Sequence, residues 1–237
     1  YKMGAEVARQ IKRIGLHLNF APVVDVNNNA DNPVINYRSF GENRFKVAKK
    51  GIAYMQGLQD HGVLPTAKHF PGHGDTDTDS HLALPQILHS RERLDSLELY
   101  PFREIIKAGI GGVMVAHLDI PALDASGIPS TLSARIITEL LKGELGFEGL
   151  IVTDAMNMKG VTKDNLPGIV DKDAILAGND LLEFTEDVPR AISEISKAVE
   201  MGLISQEEID RRARKILALK PVSYTQLPLP TTPHVES

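Results

Sequence analysis

Five short apolar runs rich in β-branched residues recur along the chain: LHLNFAPVVDV (16–26), GVLPTAKHF (62–70), GGVMVAHLDI (111–120), GLIVTDA (149–155) and NDLLEF (179–184). Runs of this kind, apolar without strict alternation, belong to strands covered on both faces. Amphipathic stretches lie around and between them. Met3, Val7, Ile11 and Ile14 mark one helix face, and Phe45, Ala48, Ile52 and Met55 a second. Ile136, Ile137, Leu140 and Leu141 mark another, with Ser133 placed to cap it, and Ile192, Ile195 and Val199 stripe a further one. In SQEEIDRRARKILALK, Ser205 and Glu208 have capping-box spacing ahead of Ile209, Ala213 and Ile216. Strands alternating with helices predict a parallel sheet, either doubly wound or closed into a barrel.

The positions of the polar residues favour the barrel. No glycine-rich phosphate fingerprint follows the first strand. Asp25, His69, His117 and Asp154 instead all fall at or just after the C-terminal end of a run. In a (β/α)8 TIM-type barrel that face carries the active site. Five strands are legible where eight are needed, so the expectation is an N-terminally truncated α/β barrel over residues 1–220, its first βα units missing. Residues 221–237 hold four prolines and no periodicity, and read as a disordered or non-native tail. The chain opens without an initiator Met, so a signal peptide would lie upstream and the compartment stays open.

Composition removes several functions. A formal charge of −5 without a basic stripe argues against nucleic-acid binding. The absence of cysteine excludes disulfides, thiolate metal sites and cysteine nucleophiles. No apolar run approaches the ~18 residues of a membrane-spanning helix.

The most chemically loaded stretch is KHFPGHGDTDTDSHLALP, Lys68 to Pro85. As a calcium loop, Asp75, Asp77 and Asp79 match the first EF-hand positions, but Ser80 stands where glycine belongs and Gln86 where the bidentate Glu belongs. His69, His73 and His81 offer metal-ligand types, without a recognised spacing. In an extended segment, Asp79 and His81 point the same way. A carboxylate beside an imidazole fixes its tautomer and stabilises the imidazolium, which makes a competent general acid and base. Gly72 and Gly74 read as hinges or plain turn residues, and His73 as structural. Asp154, ending a buried run, could be a nucleophile, an electrostatic stabiliser, a metal ligand or a helix cap. Set opposite Asp79–His81, it would suit two-step displacement at an anomeric carbon. Asp25 and Asn27 read as Asx residues tying the loop after the first strand.

Taken together with LNFAPVVDVNNNADNPVINYRSFGE, GVMVAHLDIPALD and GFEGLIVTDAMNMKG, that stretch resembles glycoside hydrolase family 3, in its β-N-acetylhexosaminidase branch, from about residue 3 to about 220. The resemblance implies a retaining enzyme on a (β/α)8-type barrel, without metal or other cofactor. It would remove terminal β-linked N-acetylglucosamine, typically from peptidoglycan fragments. Asp154 falls on the family's nucleophile, His81 on its acid/base histidine and Asp79 on the dyad partner. Lys68, His69 and Arg38 fall on residues that hydrogen-bond sugar hydroxyls, and His117 is expected to line the pocket or pack beneath it. The implied partner is the glycan alone, with room for a further domain downstream. The family's upstream DxEGGRV-type segment, which supplies an Asp gripping the sugar, has no counterpart here. The alternatives are another family 3 β-glycosidase, a glycoside phosphorylase, or a non-catalytic carbohydrate-binding barrel.

Overall fold

The structure, a computed structural model, describes residues 1–76, 83–162 and 166–220. Asp79 and His81, with the rest of 77–82, lie outside the described residues, as does the segment 221–237. The strands are β1 (Leu18–Asn19), β2 (Leu64–Phe70), β3 (Gly112–Val115), β4 (Leu150–Ala155) and β5 (Leu181–Glu183). They form one parallel sheet in sequential order, β1 to β5. The result is an α/β half-barrel.

Helix α1 (Lys2–Lys12) precedes β1, and α2 (Arg44–Gln59) links β1 to β2. Helices α3 (Arg91–Ser96) and α4 (Leu99–Lys107) link β2 to β3, and a π-helix, Arg135–Glu144, links β3 to β4. Helices α5 (Lys159–Thr162) and α6 (Ile169–Ala177) lead to β5, and α7 (Val188–Glu200) and α8 (Gln206–Leu219) follow it.

The five apolar runs all yield strands, but the first is short. Pro22 carries no N–H and so cannot continue a ladder. Beyond β1 the segment stays beside β2 through the Ala21 and Pro22 carbonyls, which accept from Thr66 and Lys68, and through a single bridge between Val23 and Lys68. Alternate residues of the central strands serve different cores. Val113, Val115 and Ile151 face the main cluster with Met55, Phe70, Phe102 and the π-helix residues Ile136, Ile137, Leu140 and Leu141. Met114, Leu150 and Val152 face the other side, where Ile216 and Leu219 of α8 and Phe20 pack against them. β3 is buried along its whole length, which explains its unbroken apolar sequence. Each fully buried large aliphatic or aromatic contributes about 1.5–3 kcal/mol of transfer free energy.

Ser205 caps α8 as expected, its Oγ accepting the Glu208 N–H at 3.1 Å. The reciprocal half of the box is replaced: the Glu208 carboxylate accepts from Arg211 and Arg212 instead. The buried stripe of α8 also differs. Ala213 is exposed, while Arg212 is 7% exposed and donates to the Ile175 carbonyl at 2.8 Å. Ser133 receives the Ile136 N–H at 3.2 Å and so serves the predicted cap, although the helix it starts is of π type.

Candidate active site

The strand ends enclose a cavity of about 260 Å³. Lys68 and His69 reach it from β2, Asp154 from β4 and Glu183 from β5, while Arg38 closes it from the loop after β1. Phe20, Met114 and Met158 supply apolar wall.

Consecutive strand residues ordinarily face opposite ways, yet Lys68 and His69 both line the cavity. They sit where β2 slips its register against β3, between Ala67 and Phe70, around a cis Lys68–His69 peptide. His69 is held from behind by Asp25, which is fully buried. Its Nδ1 lies 2.7 Å from Asp25 Oδ2, and Asp25 also accepts the backbone N–H of His69 (3.1 Å) and of His73 (2.7 Å). The Arg38 Nη2 donor lies 3.3 Å from His69 Nε2. A guanidinium has no lone pair to offer, so this arrangement suits Nε2 as acceptor and Nδ1–H as donor to Asp25. Burial alone would push the Asp25 carboxyl up, but the His69 imidazole and the His73 N–H more than offset it and hold it below the usual carboxylate range.

Asp25 therefore does not tie its own loop, as its sequence context led us to expect. It reaches across to the β2 strand end. The loop is tied by Asn32, whose Oδ1 accepts from Val34 and Ile35, and by Asn29, which accepts from Asp31. Asn27 Oδ1 is buried and finds no hydrogen-bond partner among the described residues.

Asp154 caps no described helix. Among the described residues its Oδ1 accepts only the neighbouring Ala155 N–H, at 2.9 Å. Burial works against its charge, but His69, His117, that N–H and Lys68 outweigh burial and keep its carboxyl below the ordinary range. An ionised carboxylate facing a cavity is what nucleophilic attack needs. The Lys68 ammonium has no hydrogen-bond or ion-pair partner among the described residues. Burial, followed by the Arg38 charge, pushes its ammonium pKa down, against the pull of Asp154, Asp25 and Glu183. It is a half-buried donor held ready for a ligand.

His117 stands apart from the cavity wall. It is fully buried, with Nε2 3.0 Å from the Ala155 carbonyl and Nδ1 2.6 Å from the Thr131 hydroxyl. It packs beneath Asp154 and acts on it through charge. His73 is buried too, with Nδ1 2.7 Å from Thr76 Oγ1, and burial followed by the neighbouring His69 pushes its pKa down. Gly74 has a packing reason: a Cβ there would lie 1.9 Å from the Val26 carbonyl oxygen.

The residue that the sequence reading missed is Glu183. Its run ends in a carboxylate as the Asp154 run does, and that shared strand-end position was the available signal. Asp75, His89 and Glu98 also bring three potential ligand atoms within 4.8 Å of one another. Arg93 already pairs with Glu98 at 2.6 Å and lies 3.9 Å from Asp75, so the group carries its own counter-cation.

The chain matches the N-terminal domain of glycosyl hydrolase family 3 over residues 1–219. It is 38% identical to β-hexosaminidase A of Pseudoalteromonas piscicida over 96% of this chain and 41% of that protein. It superposes with TM-score 0.89 and 45% identity on a family 3 β-N-acetylglucosaminidase from Paenibacillus sp. str. FPU-7, covering 93% of this chain and 42% of that one. A β-glucoside phosphorylase bound to 2FGlc superposes with TM-score 0.88 at 28% identity, covering 93% of this chain and 41% of that one. The chain thus spans about two fifths of the length of these relatives.

Proposed function

Because the chain belongs to glycosyl hydrolase family 3, we propose that it carries the catalytic face of a retaining β-N-acetylglucosaminidase. Its substrates are glycans ending in β-linked N-acetylglucosamine, with peptidoglycan-derived fragments as the natural class. The five strands form part of a (β/α)8 barrel. Asp154 attacks the anomeric carbon and forms a covalent glycosyl-enzyme, which water then hydrolyses. His81, paired with Asp79, donates a proton to the departing oxygen and later activates the water. Lys68, Arg38 and His69 hold the sugar hydroxyls.

One observation supports this reading above the rest: an ionised Asp154 faces a sugar-sized cavity beside an unpartnered Lys68 and a His69 braced by Asp25. In the full-length protein, Asp154→Ala is expected to lower kcat on an aryl β-N-acetylglucosaminide by about 10⁴-fold or more. Retention of more than a few per cent of activity would remove Asp154 as nucleophile. The likeness to a phosphorylase supports one second reading, transfer of the glycosyl group to phosphate. Turnover that rises with inorganic phosphate and yields sugar 1-phosphate would favour it.

A further inference from the structure

Glu183 has no role in the chemistry described so far, yet it lines the same cavity as Asp154, Lys68 and Arg38. Both of its backbone groups are fixed to the strand that carries Asp154 or to the residue just after it. The Glu183 N–H donates to Thr153 Oγ1 at 2.9 Å, and its carbonyl accepts the Met156 N–H at 2.9 Å. Its register partner is Ala155, directly after Asp154. The next residue, Phe184, takes a left-handed φ of 50° while remaining 66% exposed, so a bulky side chain adopts an unfavourable backbone without gaining burial. The Glu183 carboxylate has no hydrogen-bond or ion-pair partner among the described residues. Burial and the Asp154 charge push its pKa up, and only Lys68 opposes them. A half-buried carboxylate in this position gains from any donor that enters the cavity.

We propose that Glu183 is a glycon-recognition residue, accepting a hydrogen bond from the substituent on the sugar carbon next to the reacting one. The inference rests on Asp154 being the group that meets the anomeric carbon. The two ring atoms beside that carbon differ in chemistry. The ring oxygen has only lone pairs and repels a carboxylate, whereas carbon 2 carries an O–H or, in N-acetylglucosamine, an N–H. A carboxylate on the strand adjacent to the nucleophile is therefore matched to the carbon 2 side. Such a pocket requires a donor there and discriminates against sugars that lack one.

The test compares an aryl β-N-acetylglucosaminide and an aryl β-glucoside with the corresponding 2-deoxy-β-glucoside, in the full-length protein and in Glu183→Leu and Glu183→Gln. Glu183→Leu is expected to lower kcat/KM on the donor-bearing sugars roughly 10- to 100-fold, while the 2-deoxy sugar changes little. Glu183→Gln, close in shape and keeping an acceptor oxygen, should fall between wild type and Glu183→Leu, and it decides the matter should the leucine variant not fold. Equal loss on all three sugars, or no loss on any, would overturn the assignment. Should the wild type turn over no glycoside, the proposed activity falls. Calorimetric binding of N-acetylglucosamine against 2-deoxyglucose, in wild type and Glu183→Gln, then still decides Glu183: a preference for the former that weakens in the variant supports it, and an unchanged ratio overturns it.

Discussion

Asp25 shows how one residue can organise a site without entering it. Its two oxygens are filled by donors only, from His69 N–H, His69 Nδ1 and His73 N–H. An amide nitrogen at either oxygen would face a donor, unless His69 moved its proton to Nε2 and confronted Arg38 instead. In the full-length protein, Asp25→Asn is therefore expected to destabilise the fold by about 3 kcal/mol, read as a fall in the unfolding midpoint in denaturant. The pH dependence follows from the depressed carboxyl. Asp25 binds its proton less readily in the folded than in the unfolded chain, where the pKa is about 3.9. Its stabilisation is full above that value and is lost as pH falls through the lower, folded pKa. The gap in stability between wild type and Asp25→Asn should narrow on acidification from pH 5 to about pH 2. A gap independent of pH would show that the carboxylate charge is not what the two histidines require.

The same kind of close fit governs how elements meet. Helices α1 and α2 approach through glycines, since a Cβ on Gly57 would lie 2.2 Å from the Tyr1 carbonyl oxygen and 2.7 Å from the Ala5 nitrogen. A Cβ on Gly4 would lie 2.2 Å from the Tyr54 carbonyl oxygen. The expected face of α1 is shifted accordingly. Met3 is 67% and Ile14 73% exposed, while Gly4 and Ala8 are the buried positions, flanked by Val7 and Ile11. Replacing a helical glycine by alanine ordinarily gains up to about 1 kcal/mol, less in a last turn such as that of Gly57. Overpacking against backbone costs about 1–3 kcal/mol, and backbone cannot rotate away as a side-chain tip can. In the full-length protein, Gly57→Ala is thus expected to lower the midpoint of thermal unfolding; a higher midpoint would mean that the two helices stand further apart. Apolar periodicity located these helices correctly. It could not find the faces that use small residues for contact, because glycine contributes nothing to an apolar stripe.

At the scale of the whole molecule, five parallel strands leave β1 and β5 as sheet rims among the described residues. Both are half-exposed along their length, whereas β3 is buried throughout. Parallel strands are stable when covered on both faces and closed at their edges. The 237-residue chain expressed alone is therefore expected to melt without a cooperative transition and to turn over no aryl β-N-acetylglucosaminide. A sharp melt together with activity would show that the half-barrel suffices. The order of strands and helices was legible in the sequence, as was the position of His69 and Asp154 at strand ends, whereas Lys68 was singled out only by the family resemblance. Apolar run length and strand-end position are local properties, written in consecutive residues. Only the tertiary structure decided that Asp25 braces His69, that His117 lies beneath the cavity, that Arg212 belongs to a buried helix face, and that Glu183 shares a cavity with Asp154. Each of these depends on which residues from distant segments come to lie side by side, and sheet register and helix approach set that only once the chain has closed on itself.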